Sequence, residues 1–128
     1  MNTTNEGLLE HPKIEPFQYR AVIIRVVDAD TVDAIVDLGF SISINQRFRI
    51  DSYDAPETWR PRNEAEREHG EEATKRANEL LLNKTVLLKS SKTAGIYGRY
   101  GAIIQLEDGQ DYSDLMISEG FEKKKKYE

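Results

Sequence analysis

The chain contains no cysteine among its 128 residues. That excludes disulfides, thiolate metal sites and cysteine nucleophiles. Histidine is almost as scarce, with only His11 and His69, which argues against a histidine-rich zinc site. No apolar run approaches the roughly 18 residues that a membrane-spanning helix needs. The opening Met1-Asn-Thr-Thr-Asn-Glu6 has neither the basic nor the apolar stretch of a secretory signal, so the expected location is cytoplasmic. Positive charge is in the minority, with 18 Lys and Arg against 23 Asp and Glu, a net charge of -5 and a pI near 5.2. Such a balance argues against coating nucleic acid by bulk charge, while leaving room for a small basic site.

What is present suits one folded domain. Hydrophobic residues make up 38% and charged residues 32%, and the length matches a single core. Residues 1–16 are polar and carry Pro12 and Pro16, which reads as an arm. Residues 17–122 read as the domain, and residues 123–128 as a basic, solvated tail.

Within the domain, Tyr19 to Val27 is rich in β-branched residues and reads as a buried strand. Asp28-Ala-Asp30 is a turn signal. From Thr31 to Leu38 the pattern alternates, with Val32, Ala34, Val36 and Leu38 on one face. Ile42, Ile44, Phe48 and Ile50 extend a third strand, with a bulge expected near Asn45-Gln46. Residues 63 to 82 read as a helix. Asn63 is its cap, Glu66 stands at the capping-box position, and Ala73, Ala77, Leu80 and Leu81 form the apolar face. Gly70 weakens the first half, which leaves open a start nearer that glycine. Val86 to Lys89 and Tyr100 to Leu106 read as two more strands, and Ser113 to Glu119 as a short helix closed by Gly120. The order predicts an α+β, mainly β fold: a five-stranded OB-type Greek-key barrel with a helix between strands 3 and 4 and a short C-terminal helix.

Three carboxylates stand in turns beside strands: Asp30, Asp54 and Glu57. If their loops adjoin, the charges repel, and a hard divalent cation relieves them. Oxygen-only ligation suits calcium, magnesium or manganese. Plainer readings exist for each. Asp28-Ala-Asp30-Thr31 also fits a polar hairpin turn, and Asp54-Ala-Pro-Glu57 also fits a helix start. Two arginines weaken those alternatives. Arg49 has the opposite parity to Phe48 and Ile50 and leads into the acidic loop, and Arg99 follows a glycine-flanked loop. Guanidinium forks beside a carboxylate-held cation suit a phosphodiester. Trp59, with Arg60 and Arg62 just after the acidic loop, is placed either to stack on a base or to pack on the helix.

Asp28-x-Asp30-Thr31, Arg49-(x)4-Asp54-x-Pro56-Glu57-Thr58 and Tyr97-Gly98-Arg99 together resemble the staphylococcal nuclease (thermonuclease) family in order and spacing, from about Arg20 to about Phe121. The resemblance implies a calcium-dependent nuclease that hydrolyses DNA and/or RNA at the P–O5′ bond, leaving 3′-phosphate and 5′-hydroxyl ends. It implies Asp30 and Asp54 as metal ligands, with the backbone carbonyl of Ala55, where the family has threonine, as a third. It implies Arg49 and Arg99 on the scissile phosphate, Glu57 acting on the attacking water, Tyr97 contacting a substrate phosphate, and Asp28 supporting the ligands. Ile96 replaces a phosphate-binding lysine, so that contact is expected to be lost. The family's paired base-flanking tyrosines have no clear match, with Tyr127 a loose candidate. The long C-terminal helix of the family has no counterpart before Glu128, and residues 1–16 or a partner chain are expected to cover that surface. The alternative function is a non-catalytic module of the same family that binds nucleic acid or protein. A monomer is expected, with no membrane partner.

Acidic residues are segregated. None occurs between Leu80 and Leu106 or between Leu38 and Ile50, stretches that carry Lys84, Lys89, Lys92 and Arg99, and Arg47 and Arg49. The net charge therefore averages over a surface that allows a basic cleft.

Overall fold

The computed structural model describes residues 15–95 and 98–127. Five strands, β1 (Gln18–Asp28), β2 (Thr31–Gly39), β3 (Ile42–Ile50), β4 (Thr85–Ser90) and β5 (Tyr100–Gln105), close into a barrel in the order β1-β2-β3-β5-β4. Helix α1 (Glu64–Leu81) connects β3 to β4, and helix α2 (Tyr112–Ser118) follows β5. The mainly β barrel with these two helices is the architecture expected from the strand pattern.

Alternation builds the barrel interior. Val32, Ala34 and Val36 of β2, Phe48 and Ile50 of β3, Val86 and Leu88 of β4, and Ala102 and Ile104 of β5 are all buried. Each fully buried Val, Leu, Ile or Phe contributes roughly 1.5–3 kcal/mol. Strand β1 pairs with both β2 and β4. It achieves this by bending: its register against β2 shifts between Ile23 and Arg25 and again between Val26 and Asp28. Inserted residues of this kind sharpen the local twist.

No bulge interrupts Asn45-Gln46. The β2–β3 ladder runs in constant register from Thr31↔Arg49 to Asp37↔Ser43, and its one shift lies at the turn, between Asp37 and Gly39. Ile42 and Ile44 share the parity of Phe48 and Ile50 but remain exposed, because the hairpin extends past the end of the core.

Helix α1 begins at Glu64, so Gly70 lies inside it and not at its start. The Asn63 side chain accepts from the Glu66 amide at 3.0 Å, and Asn83 after the last turn takes φ +62. Ala73, Ala77 and Leu81 bury the inner face of α1, which packs on β1. Gly70 fills a tighter need. A Cβ there would lie 2.7 Å from the Pro56 carbonyl oxygen and 2.7 Å from Cγ2 of Thr58. The helix and the acidic loop thus meet with no space between them. Helix α2 is capped by Asp111, which accepts from the Asp114 amide at 2.9 Å. It buries Tyr112 and Met116.

Candidate active site

Three pieces of chain meet at one end of the barrel. The first is the β1–β2 turn. The Asp28 carboxylate accepts from the Asp30 amide at 3.1 Å, which closes the turn. Ala29 is fully buried, and its carbonyl accepts from the Tyr112 hydroxyl at 2.6 Å. The Asp30 carbonyl accepts from the Ile50 amide at 2.8 Å, tying the turn to the end of β3.

The second piece is the loop from Asp51 to Asn63. It does not begin a helix at Asp54, since α1 starts only at Glu64. The Tyr53 side chain is buried and donates its hydroxyl to the Phe121 carbonyl at 2.7 Å. The Ala55 amide donates to Asp30 Oδ2 at 2.9 Å, joining the two acidic loops directly. The third piece is β5. Its parallel pairing sets Phe48 opposite Tyr100 and Arg49 opposite Gly101, which brings the start of β5, and with it Arg99, beside Arg49.

Arg49 is the hub. Nη1 donates to the carbonyls of Ile50 at 2.6 Å and Tyr53 at 2.7 Å. Nη2 lies 2.5 Å from Asp54 Oδ1 and 3.3 Å from Asp30 Oδ2. A cleft of about 310 Å³ is lined by Asp28, Asp30, Arg49, Asp54, Glu57 and Arg99, with Thr31, Ala55 and Lys123 completing its wall. Asp30, Arg49, Asp54, Glu57 and Arg99 therefore share one cavity. Tyr97 lies outside the described residues. Trp59 stands beside this cleft and not in it, and it is 78% exposed, so it does not pack on the helix.

Burial, together with the adjoining carboxylates of Asp30 and Glu57, pushes the Asp28 carboxyl well above the usual carboxylate range. The cleft sets the carboxylates of Asp28, Asp30, Asp54 and Glu57 beside the cations of Arg49, Arg99 and Lys123. Its donors are oxygens, the set that a hard cation accepts. Among the described residues, no three His, Asp or Glu side chains gather closely enough to hold a metal ion by themselves. The carboxylates of Asp30 and Asp54 have the donor chemistry that a hard cation such as calcium takes.

Glu66 has a larger role than the capping box implies. Its carboxylate is fully buried. Oε1 accepts from the Arg62 amide at 2.8 Å and from Arg62 Nε at 3.1 Å. Oε2 faces Arg62 Nη2 at 3.3 Å, the Glu57 amide at 3.5 Å and Lys123 Nζ at 3.8 Å. Burial opposes ionisation, but the hydrogen bonds from Arg62 and the Glu57 amide outweigh it and hold the carboxyl at about 2. A sequence signal existed. Stepping back four residues from Gly70 along the buried face 70-73-77-81 reaches Glu66.

Residues 121–127 lie across the start of α1. Arg62 donates to the carbonyls of Lys124 and Lys125, both at 2.6 Å, and the Lys123 amide donates to the Asp54 carbonyl at 2.8 Å. Tyr127 sits on Arg62 and His69, with its hydroxyl 2.7 Å from His69 Nδ1. The lysine side chains reach solvent, while the backbone beneath them is fastened. No local pattern announces Lys123 as a wall of the cleft.

A family model described as staphylococcal nuclease homologue matches residues 47–128. No curated protein matches the chain. The matched stretch carries Arg49, Asp54, Glu57 and Arg99, and the barrel brings Asp28 and Asp30 to them from outside it. With nearly two thirds of its length matched and its arginines and carboxylates meeting in one cleft, the chain belongs to the family of staphylococcal nuclease homologues.

Proposed function

We propose that this protein is a calcium-dependent nuclease that hydrolyses phosphodiester bonds of DNA and/or RNA, leaving 3′-phosphate and 5′-hydroxyl ends. One observation carries the reading: two arginines and four carboxylates from three separate segments line a single cleft.

Each residue has a task that its chemistry suits. Arg49 and Arg99 bind the non-bridging oxygens of the scissile phosphate, and their forks offset the charge that grows in the pentacoordinate transition state. The two carbonyls on Nη1 fix the plane of Arg49. Nη2 exchanges Asp54 for a phosphate oxygen when substrate enters. Glu57 is exposed at the cleft wall, where a water molecule can reach it. It accepts the proton as that water attacks phosphorus. The P–O5′ bond then breaks, and the departing oxygen takes up a proton from solvent. Asp30, Asp54 and the Ala55 carbonyl are the residues that would hold calcium. When bound, the ion supplies Lewis-acid polarisation of a phosphate oxygen. Asp28 orients Asp30 through its amide.

The test is incubation with single-stranded DNA and with RNA in calcium, alongside samples in EGTA and samples of an Arg49→Ala/Glu57→Ala double variant. Cleavage by the wild type in calcium alone is the expected result. Wild-type cleavage no greater than that of the double variant overturns the nuclease reading and leaves the binding-module alternative.

A further inference from the structure

An indole is an expensive group to leave in water, and Trp59 is 78% exposed. It is the only tryptophan in the chain. Its Cα lies within about 7.6 Å of that of Glu57, since two peptide units can span no more. The segment that carries it is held on both sides. Upstream, the Glu57 amide points to Glu66 at 3.5 Å, and the Thr58 γ-methyl lies against Gly70. Downstream, Pro61 restricts the backbone, and Arg62 is locked onto Glu66 and the carbonyls of Lys124 and Lys125. Between these anchors, the Arg60 guanidinium lies 4.2 Å from the centre of the indole ring. It covers part of the ring and holds its orientation.

A ring presented this way, beside a cleft for phosphate, has the form of a stacking platform. Every nucleobase has a π-face, and stacking on tryptophan needs no particular sequence. Arg60 adds a fork at the ring edge that suits a neighbouring phosphate. Among the described residues, the other large exposed aromatic is remote. Phe40 is 97% exposed, but it sits at the β2–β3 turn, about 26 Å along β2 from the Thr31 end at a rise of 3.3 Å per residue.

We propose that Trp59 and Arg60 form a nucleotide subsite that stacks an unpaired base flanking the scissile phosphate. The path of the strand rests on the cleft being the phosphodiester site. A base inside a duplex is already stacked on both faces, and unstacking and unpairing it costs a few kcal/mol. The platform therefore discriminates against double strands without contacting a base edge.

Because Trp59 is the sole tryptophan, its emission reports this subsite directly. The probes are oligothymidylate, oligouridylate and a blunt-ended duplex, titrated into Glu57→Gln protein in calcium, with affinity followed separately by anisotropy. The single strands are expected to quench the emission and the duplex to leave it unchanged. Quenching by one single strand alone also supports the subsite and assigns it to that sugar. Trp59→Ala should raise the Kd for single strands about 5- to 150-fold, the equivalent of 1–3 kcal/mol per stacked base, with Trp59→Phe recovering most of the loss. Absence of quenching by either single strand overturns the subsite, as does a Trp59→Ala loss that is equal for single strands and duplex. The two readings fail separately. Cleavage by wild type without quenching removes the subsite and keeps the nuclease, whereas quenching without wild-type cleavage does the reverse.

Discussion

Glu66→Ala should destabilise the fold by about 3 kcal/mol at neutral pH, and that loss should fade in acid. The carboxylate has no exposed surface, yet it accepts from an amide and a guanidinium of Arg62 and faces the Glu57 amide and Lys123. Removing it strands all of those donors. Breaking a buried pair by deleting one partner costs about 3–5 kcal/mol. The lower end applies here because 43% of the Arg62 side chain stays in contact with water. Linkage gives a matching size. The carboxyl is held at about 2, against 4.5 for the ordinary group. At 1.36 kcal/mol per unit, that is on the order of 3 kcal/mol. The sign follows from a folded-state pKa below the unfolded one. The contribution is complete above about pH 4.5 and disappears as pH falls toward about 2. Urea unfolding of wild type and variant at a series of pH values from neutral to acid measures this. A drop in Tm of roughly 10 °C at neutral pH is the thermal equivalent for a chain of this size. A gap that persists undiminished into strong acid would refute the argument, because Glu66 would then act as packing volume and not as a charged acceptor.

Three further outcomes are expected. Gly70→Ala should lose about 1–3 kcal/mol in urea unfolding despite alanine's helix preference of about 1 kcal/mol, because its Cβ would press on the Pro56 carbonyl and Thr58. A stabilised variant would mean that the loop yields freely. Tyr112→Phe should cost about 1–3 kcal/mol by leaving the buried Ala29 carbonyl without its donor, with cleavage reduced alongside because that carbonyl adjoins Asp30. A near-neutral result would show that the turn does not depend on this bond. Arg99→Ala should lower kcat by about 10²–10³ with little change in KM, and a change in KM alone would refute its role on the transition state.

The strands were legible because alternation is a local pattern, whereas the cleft residues were legible as a set only through the family resemblance in motif order and spacing. Val32, Ala34 and Val36 alternate inward as their spacing requires. Parity puts Arg49 opposite to Phe48 and Ile50, and its side chain does reach the carboxylates of Asp30 and Asp54. Parity holds as far as Ile42 and Ile44 but burial stops there, so the expected bulge is replaced by a regular strand that is longer than its core. Glu66 does take its capping place next to Asn63, and its buried carboxylate does more besides. Its spacing from Asn63 marks a cap, but its partners come from Arg62 and from Lys123, far along the chain. The Arg62 pair is local, at i,i+4 spacing, and the buried face 70-73-77-81 points to Glu66, whereas the contact with Lys123 depends on the tertiary fold and leaves no mark in any short window.

The parallel ladder between β3 and β5 carries a kinetic consequence. Phe48 and Tyr100, or Arg49 and Gly101, are neighbours across about fifty residues, the kind of long-range pairing that forms slowly. The two arginines come together only when that seam zips. A folding chain with α1 formed and the β1–β2–β3 meander in place still has Arg49 without Arg99. Under the proposed nuclease function, cutting activity requires this seam to be closed, and during refolding its recovery should lag behind the helix signal. A nuclease built this way would leave the nucleic acid around it untouched until the barrel shuts.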